Sequence, residues 1–258
     1  MGTRSIGAKA VVLGAASILL FASMAHAAEI RVLTSGGFRS AYLSLVPEFE
    51  RTTGHKVVTT AGGSMGSAPT TVPNRLKRGE VYDVVILAAD TLDELIKQGY
   101  VLAGSRVDLA RSIIGVAVRA GAPRPDISST DAFTRALVEA KSIAYSSSAS
   151  GVYLIGLFQR LGIADKLKPI SRQVTGEPVG AVVARGEAEI GFQQVSELLP
   201  VKGIDYVGPL PAEIQEVTVF AAGIPSSATE PDAARALIKF LSSPAAAPVI
   251  RKTGMEPG

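Results

Sequence analysis

Apolar and polar positions along this chain follow two alternating periods. Short runs at residues 30–33, 56–60 and 84–87 read as strands. The last of these, Val84-Val85-Ile86-Leu87, is apolar throughout, as in a strand covered on both faces. Between the runs the spacing becomes helical. Ser40 is placed to cap a helix over residues 41–52, with Leu43, Val46 and Phe49 on one side and Gly54 as its stop. Pro47 inside that stretch predicts a kink or a later start. Further helices are expected over 70–78 and over 91–98, the second capped by Asp90 and ended by Gly99. This βαβαβα order predicts an α/β fold with a parallel, doubly wound sheet.

The second half repeats the alternation. Strands are expected at 112–118, 143–145, 170–174, 190–192, 204–207 and 217–220. Helices are expected at 130–140, capped by Ser129 or Thr130, and at 152–161, 179–184, 232–241 and 245–252. So many strands exceed what one ordinary sheet needs, which predicts two doubly wound sheets in two lobes. No flexible linker separates them. Two β crossings, at 111–115 and 216–220, are the candidate joints.

The N-terminus does not belong to this pattern. Arg4 and Lys9 precede an apolar run over 10–24, and Ala25-His26-Ala27 has the small-x-small form of a cleavage site. Residues 1–27 therefore read as a secretory signal peptide cut near Ala27, so the mature protein is expected in the periplasm. Its loss removes Arg4 and Lys9 and no acid, which lowers the formal charge of +3 to +1. No Lys/Arg cluster remains that would suit nucleic acid. There is no cysteine, so an exported chain must rely on its core, and 47% hydrophobic residues suffice for a large core or two small ones. His55 alone among histidines survives processing, which leaves no His/Cys metal site, and no other cofactor is indicated.

Candidate chemistry lies where strands turn into helices. Gly62-Gly63-Ser64-Met65-Gly66 is one such junction. Ser35-Gly36-Gly37, Ser146–Gly151 and Gly176–Gly180 are similar. Small residues let the backbone approach a ligand, and helix N-termini hold anions through unpaired N–H groups. These loops are expected to converge on one small anionic ligand. Arg39, just after the first loop, suits bidentate pairing with a carboxylate. Gly62–Gly66 also fits the G-x-S-x-G elbow of α/β-hydrolases, but there the histidine follows the serine, whereas His55 precedes Ser64. Read blandly, Ser148 and Ser150 form a turn and cap, Tyr153 packs, and Glu177 is a solvated charge.

The order of several motifs resembles one family. These are VLTSGGF (32–38), PEFERTTGHKV (47–57), GGSMG (62–66), RLKRGEVYDVVILAAD (75–90), YSSSASGVY (145–153), ARGEAEIGF (184–192) and the closing AARALIKFLSSPAA and TGMEP. Together they resemble the type II periplasmic solute-binding proteins, most of all the molybdate-binding components of ABC importers. The resemblance implies a two-lobed fold with ligand in the interlobe cleft. Lobe one would comprise 28–111 and 217–258, and lobe two 112–216. It also implies a monomer that hands its ligand to an inner-membrane ABC permease. It assigns ligand contacts to Ser64, Ser150 and Val179, with Gly151 and Tyr153 matching the third-loop pattern. Ser35, Gly36 and Ser148 join them on the same loops. Two positions depart from the pattern: a serine falls on Gly37, and a tyrosine falls on Gln194. The amide of Gln194 offers both donor and acceptor, which suits an organic acid. Ser-Gly-Gly-Phe and Gly-Phe-Gln-Gln also resemble the aconitate-isomerase branch of this scaffold. That branch implies a proton shift, for which Glu177, Tyr145 and His55 are all open candidates.

Overall fold

The computed structural model describes Gly2 and residues 27–258; the predicted leader lies, but for Gly2 and Ala27, outside the described residues. In chain order the elements are β1 (Glu29–Ser35), α1 (Gly36–Thr53), β2 (Lys56–Gly62), α2 (Val72–Lys77), β3 (Val84–Ala88), α3 (Ala89–Lys97) and β4 (Val107–Arg119). Then come α4 (Thr130–Glu139), β5 (Ile143–Ser146), α5 (Ala149–Arg160), α6 (Ala164–Leu167), β6 (Ser171–Val174), α7 (Val179–Ala184) and β7 (Ile190–Gln194). The chain closes with α8 (Val195–Leu198), β8 (Ile204–Pro209), β9 (Val217–Gly223), α9 (Pro231–Leu241), α10 (Ala247–Lys252) and β10 (Glu256–Pro257).

β3 shows why the first lobe is doubly wound. Its successive side chains point to opposite faces. Val84 and Ile86 join a core with Ile30, Val32, Phe38, Tyr42 and Phe49, together with α9 and α10. Val85 and Leu87 join Leu33, Val72, Leu92 and Leu95 on the other face. In the second lobe, Ile143 packs with Phe133, Leu154, Phe158 and Phe192. Its neighbour Ala144 packs with Val174, Val179 and Val183 on the opposite side. Each lobe thus has a sheet buried on both faces.

The parallel part of each sheet is β2–β1–β3 or β6–β5–β7. Antiparallel pairing enters where the lobes meet. β4 is 13 residues long. Its first half, through Ile113, pairs with β9; from Ile114 onward it pairs with β7, and from Gly115 with β8. Hydrogen bonds therefore run unbroken through the order β2-β1-β3-β9-β4-β7-β5-β6. The two candidate crossings lie side by side in this ladder, with Arg111 opposite Val219 and Ser112 opposite Thr218.

Local boundaries differ from expectation in the first helix. Ser40 does not cap it. α1 starts at Gly36, with Ser35 extended at the N-cap, and it continues through Pro47 to Thr53. Pro47 is exposed, so the carbonyl that it deprives of a partner lies on the solvent side. Gly54 ends α1 at φ +76°, where a side chain would be strained. Likewise α3 begins at Ala89, and Asp90 sits in its first turn rather than at its cap. Ser129 does cap α4, accepting the Ala132 N–H at 3.2 Å.

Candidate functional site

Four junctions surround one cavity of about 460 Å³ between the lobes. Gly36 and Gly37 enter it from the first turn of α1, and Ser64 from the loop after β2. Ser148 and Ser150 enter from the start of α5, and Gln194 from the end of β7. Arg39 stands at the wall on the exposed side of α1.

Two of the anticipated residues do not line it. Ser35 lies one residue behind the wall, buried, with a hydroxyl that has no hydrogen-bond partner in the protein. Val179 is fully buried in the second-lobe core, and its backbone N–H donates to Gln193 Oε1 at 2.8 Å. That N–H is committed inside the protein, so the contact assigned to Val179 by resemblance is not available as drawn. Its neighbours Gly176, Glu177 and Pro178 line the cavity in its place.

The serines hold one another across the cleft. The Ser64 N–H donates to Ser148 Oγ at 3.2 Å, which ties the second-loop backbone to the opposite lobe. Ser148 is the N-cap of α5, yet its hydroxyl does not cap that helix. Ser64 Oγ accepts the Ala88 N–H at 3.0 Å, which leaves its own O–H to donate elsewhere. Ser150 Oγ lies 2.9 Å from Ser146 Oγ, both buried. Gly151 allows this turn: a Cβ there would run into the Ser146 carbonyl.

The glycine pair at the start of α1 has a physical reason. A Cβ at residue 37 would strike the Phe220 ring, and one at residue 36 would strike the Glu197 carboxylate. Both partners line the cavity. A serine at position 37 therefore does not fit beside Phe220, which accounts for one departure from the molybdate-binding pattern. At the other departure, Gln194 Nε2 donates to Thr218 Oγ1 at 2.9 Å on β9, while its Oε1 is buried without a partner.

Sequence reading missed Glu197 and Thr71, and noticed Gln193 only as part of the Gly-Phe-Gln-Gln motif. Glu197 sits on α8, a single turn without a recognisable period. Its carboxyl accepts from Gln193 Nε2 at 3.0 Å. Burial pushes its pKa up to about 7, against the opposing pull of that Gln193 donor. Thr71 stands at the N-cap position of α2 without a side-chain cap, and brings a buried, unpartnered hydroxyl to the wall. The sequence held a signal for Thr71, a threonine two residues before Pro73 at a helix start.

The three acid–base candidates fare differently. Glu177 lines the cavity, but its carboxylate is paired with Arg185 at 2.9 Å, and that hydrogen-bonded guanidinium holds its pKa below the ordinary value. Tyr145 is not part of the wall and stacks edge-on against Phe158. His55 lies at the start of β2, stacked on Phe49, with Nδ1 accepting the Ala28 N–H at 3.1 Å. Tyr153 also faces away: its hydroxyl donates to the Ile214 carbonyl, and Arg160 lies 5.2 Å above its ring. The polar part of the wall thus combines neutral serine and threonine hydroxyls and glutamine amides with the carboxyls of Glu177 and Glu197, and with the guanidinium of Arg39, unpaired among the described residues.

Comparison with known proteins agrees with this architecture. A family described as "Bacterial extracellular solute-binding protein" matches residues 30–256. An aconitate isomerase of Pseudomonas sp. is 47% identical over 229 residues, which is 88% of this chain and 87% of that one. The molybdate-binding protein ModA of Azotobacter vinelandii is 29% identical over 260 residues, 97% of either chain. A solved structure, the Azotobacter vinelandii periplasmic molybdate-binding protein, superposes with a TM-score of 0.72 at 25% identity, covering 88% of this chain and 98% of that one. The two-lobed sheet, the interlobe cavity and the match over nearly all of the described chain agree, and this chain belongs to the bacterial extracellular solute-binding protein family.

Proposed function

We propose that the protein is an aconitate isomerase that works in the periplasm after loss of its leader. Its substrate would be a small tricarboxylate held in the interlobe cavity. The observation that carries this reading is the size and make-up of that cavity. About 460 Å³ lies in the range of pockets for organic molecules and is generous for a single tetrahedral oxyanion. Ser64, Ser148 and Ser150 offer hydroxyl donors to carboxylates, and Arg39 offers a free guanidinium. Support also comes from the 47% identity with the Pseudomonas enzyme.

The reaction needs one proton to leave the methylene carbon and one to reach the vinylic carbon. The electron pair passes through the allylic system, which is conjugated to a carboxylate. The double bond shifts by one position and its geometry is reset. No oxidant or second substrate enters the balance.

A second reading is a pure binding component that delivers an anion to an ABC permease. The family description and the ModA relative favour it. Catalytic amounts of purified mature protein, mixed with cis-aconitate and followed by proton NMR, separate the two. Appearance of trans-aconitate at many turnovers per protein is expected. Its absence, together with a thermal shift from molybdate or sulfate, refutes the isomerase reading.

A further inference from the structure

We propose that Glu197 is the catalytic residue that carries the proton, taking it from the methylene carbon of the bound polycarboxylate and returning it to the vinylic carbon. This rests on the isomerase reading and adds the identity of the base.

The geometry has three parts. First, the carboxyl of Glu197 is part of the cavity wall, and the first turn of α1 is cut back to glycine opposite it. Second, it is held in place. The Val179 N–H donates to Gln193 Oε1 at 2.8 Å, and Gln193 Nε2 donates to Glu197 at 3.0 Å, so a buried amide fixes the carboxyl from the core side. Third, no cation among the described residues pairs with it, unlike Glu177. An ion-paired carboxylate is a poor base, whereas an unpaired one in a dry pocket is basic near neutrality.

The charged groups that share the cavity are Arg39 on α1 and Glu177 before α7, the latter neutralised by Arg185. From β7, Gln193 touches Glu197, and Gln194 of β7 and Phe220 of β9, both uncharged, also line the cavity. A bound anion raises the proton affinity of Glu197 further, and the Arg39 guanidinium opposes that effect. In the forward step the substrate C–H bond breaks and a Glu197 O–H bond forms, the electron pair spreading over the allyl carboxylate. In the second step that O–H bond breaks as the new C–H bond forms. Glu197 is regenerated.

The test is Glu197→Gln in the full mature protein, a change that keeps size and hydrogen bonding but cannot accept a proton. Circular dichroism and thermal melting check its fold. The variant is expected to keep a thermal shift with cis-aconitate yet lose turnover by about 10²–10⁴-fold, the usual contribution of a general base. The kcat/KM of the wild type should rise with pH through about 7, and Glu197→Asp should retain weak activity on a displaced limb. Wild-type turnover with an equally active Glu197→Gln overturns this assignment and leaves the isomerase reading standing. No turnover by wild type overturns both.

Discussion

Ser64 shows how much one side chain can do at this site. Its backbone N–H crosses the cleft to Ser148, its oxygen receives the Ala88 N–H, and its hydroxyl proton remains for a ligand. Ser64→Ala therefore removes the partner of the buried Ala88 N–H at the end of β3 as well as a ligand donor. It should cost about 1–3 kcal/mol of stability, the cost of leaving a buried N–H unpaired, measured by urea denaturation. Ser150→Ala leaves a Ser146 hydroxyl with fewer partners and should mainly weaken the thermal shift caused by cis-aconitate. If neither variant weakens that shift, these serines are not ligand contacts. Ser64 was legible in sequence because a serine among glycines between strand and helix has few other uses. Glu197 was not, because Val-Ser-Glu-Leu reads as an ordinary polar turn. Only the fold buries its carboxyl against α1.

At the scale of elements, the N-terminus of α1 carries the argument. Its start at Gly36 rather than Ala41 brings the open end of an 18-residue helix to the cavity. The amphipathic pattern predicted the helix but not its first turn, since glycines carry no periodic signal. Gly37→Ala must push Phe220 aside and should destabilise the protein by about 1–3 kcal/mol, as overpacking usually does, with melting temperature as the readout. β3 is fastened in another way. Asp83, just before it, accepts N–H bonds from Arg31 at 2.8 Å, Thr229 at 2.8 Å and Glu230 at 2.9 Å. Burial alone pushes its pKa up, but these donors together outweigh that and lower it. A lowered native pKa means that the stabilisation is present above the ordinary carboxylate range and is lost as pH falls through the native value. Asp83→Asn should thus destabilise at pH 7 by about 1–3 kcal/mol, and the gap should shrink in acid.

For the whole molecule, the relevant fact is that the two lobes share β4 and β9 and meet again at the cavity. Ser196 Oγ donates to the Gly37 carbonyl at 2.6 Å, and Ser40 Oγ to the Ser196 carbonyl at 3.4 Å. A ligand that touches both lobes adds to these few contacts and stabilises the whole fold. At a hundred times its Kd it should add about 2.7 kcal/mol. A ladder of thermal shifts over molybdate, sulfate and di- and tricarboxylates therefore ranks ligands directly, and tricarboxylates should lead it. An oxyanion at the top would favour the binding-component reading.

Sequence alone determined the α/β class, the two-sheet pattern and the four cavity loops, because each of these is local. Apolar period marks strands and helices, and serine with glycine marks the bends between them. The tertiary structure decided what no local pattern holds. It placed Glu197 opposite Gly36, residues 161 positions apart, and it turned Val179, Tyr145 and His55 away from the cavity. Burial and the absence of a counter-charge are properties of packing, and packing brings together residues that the chain keeps far apart.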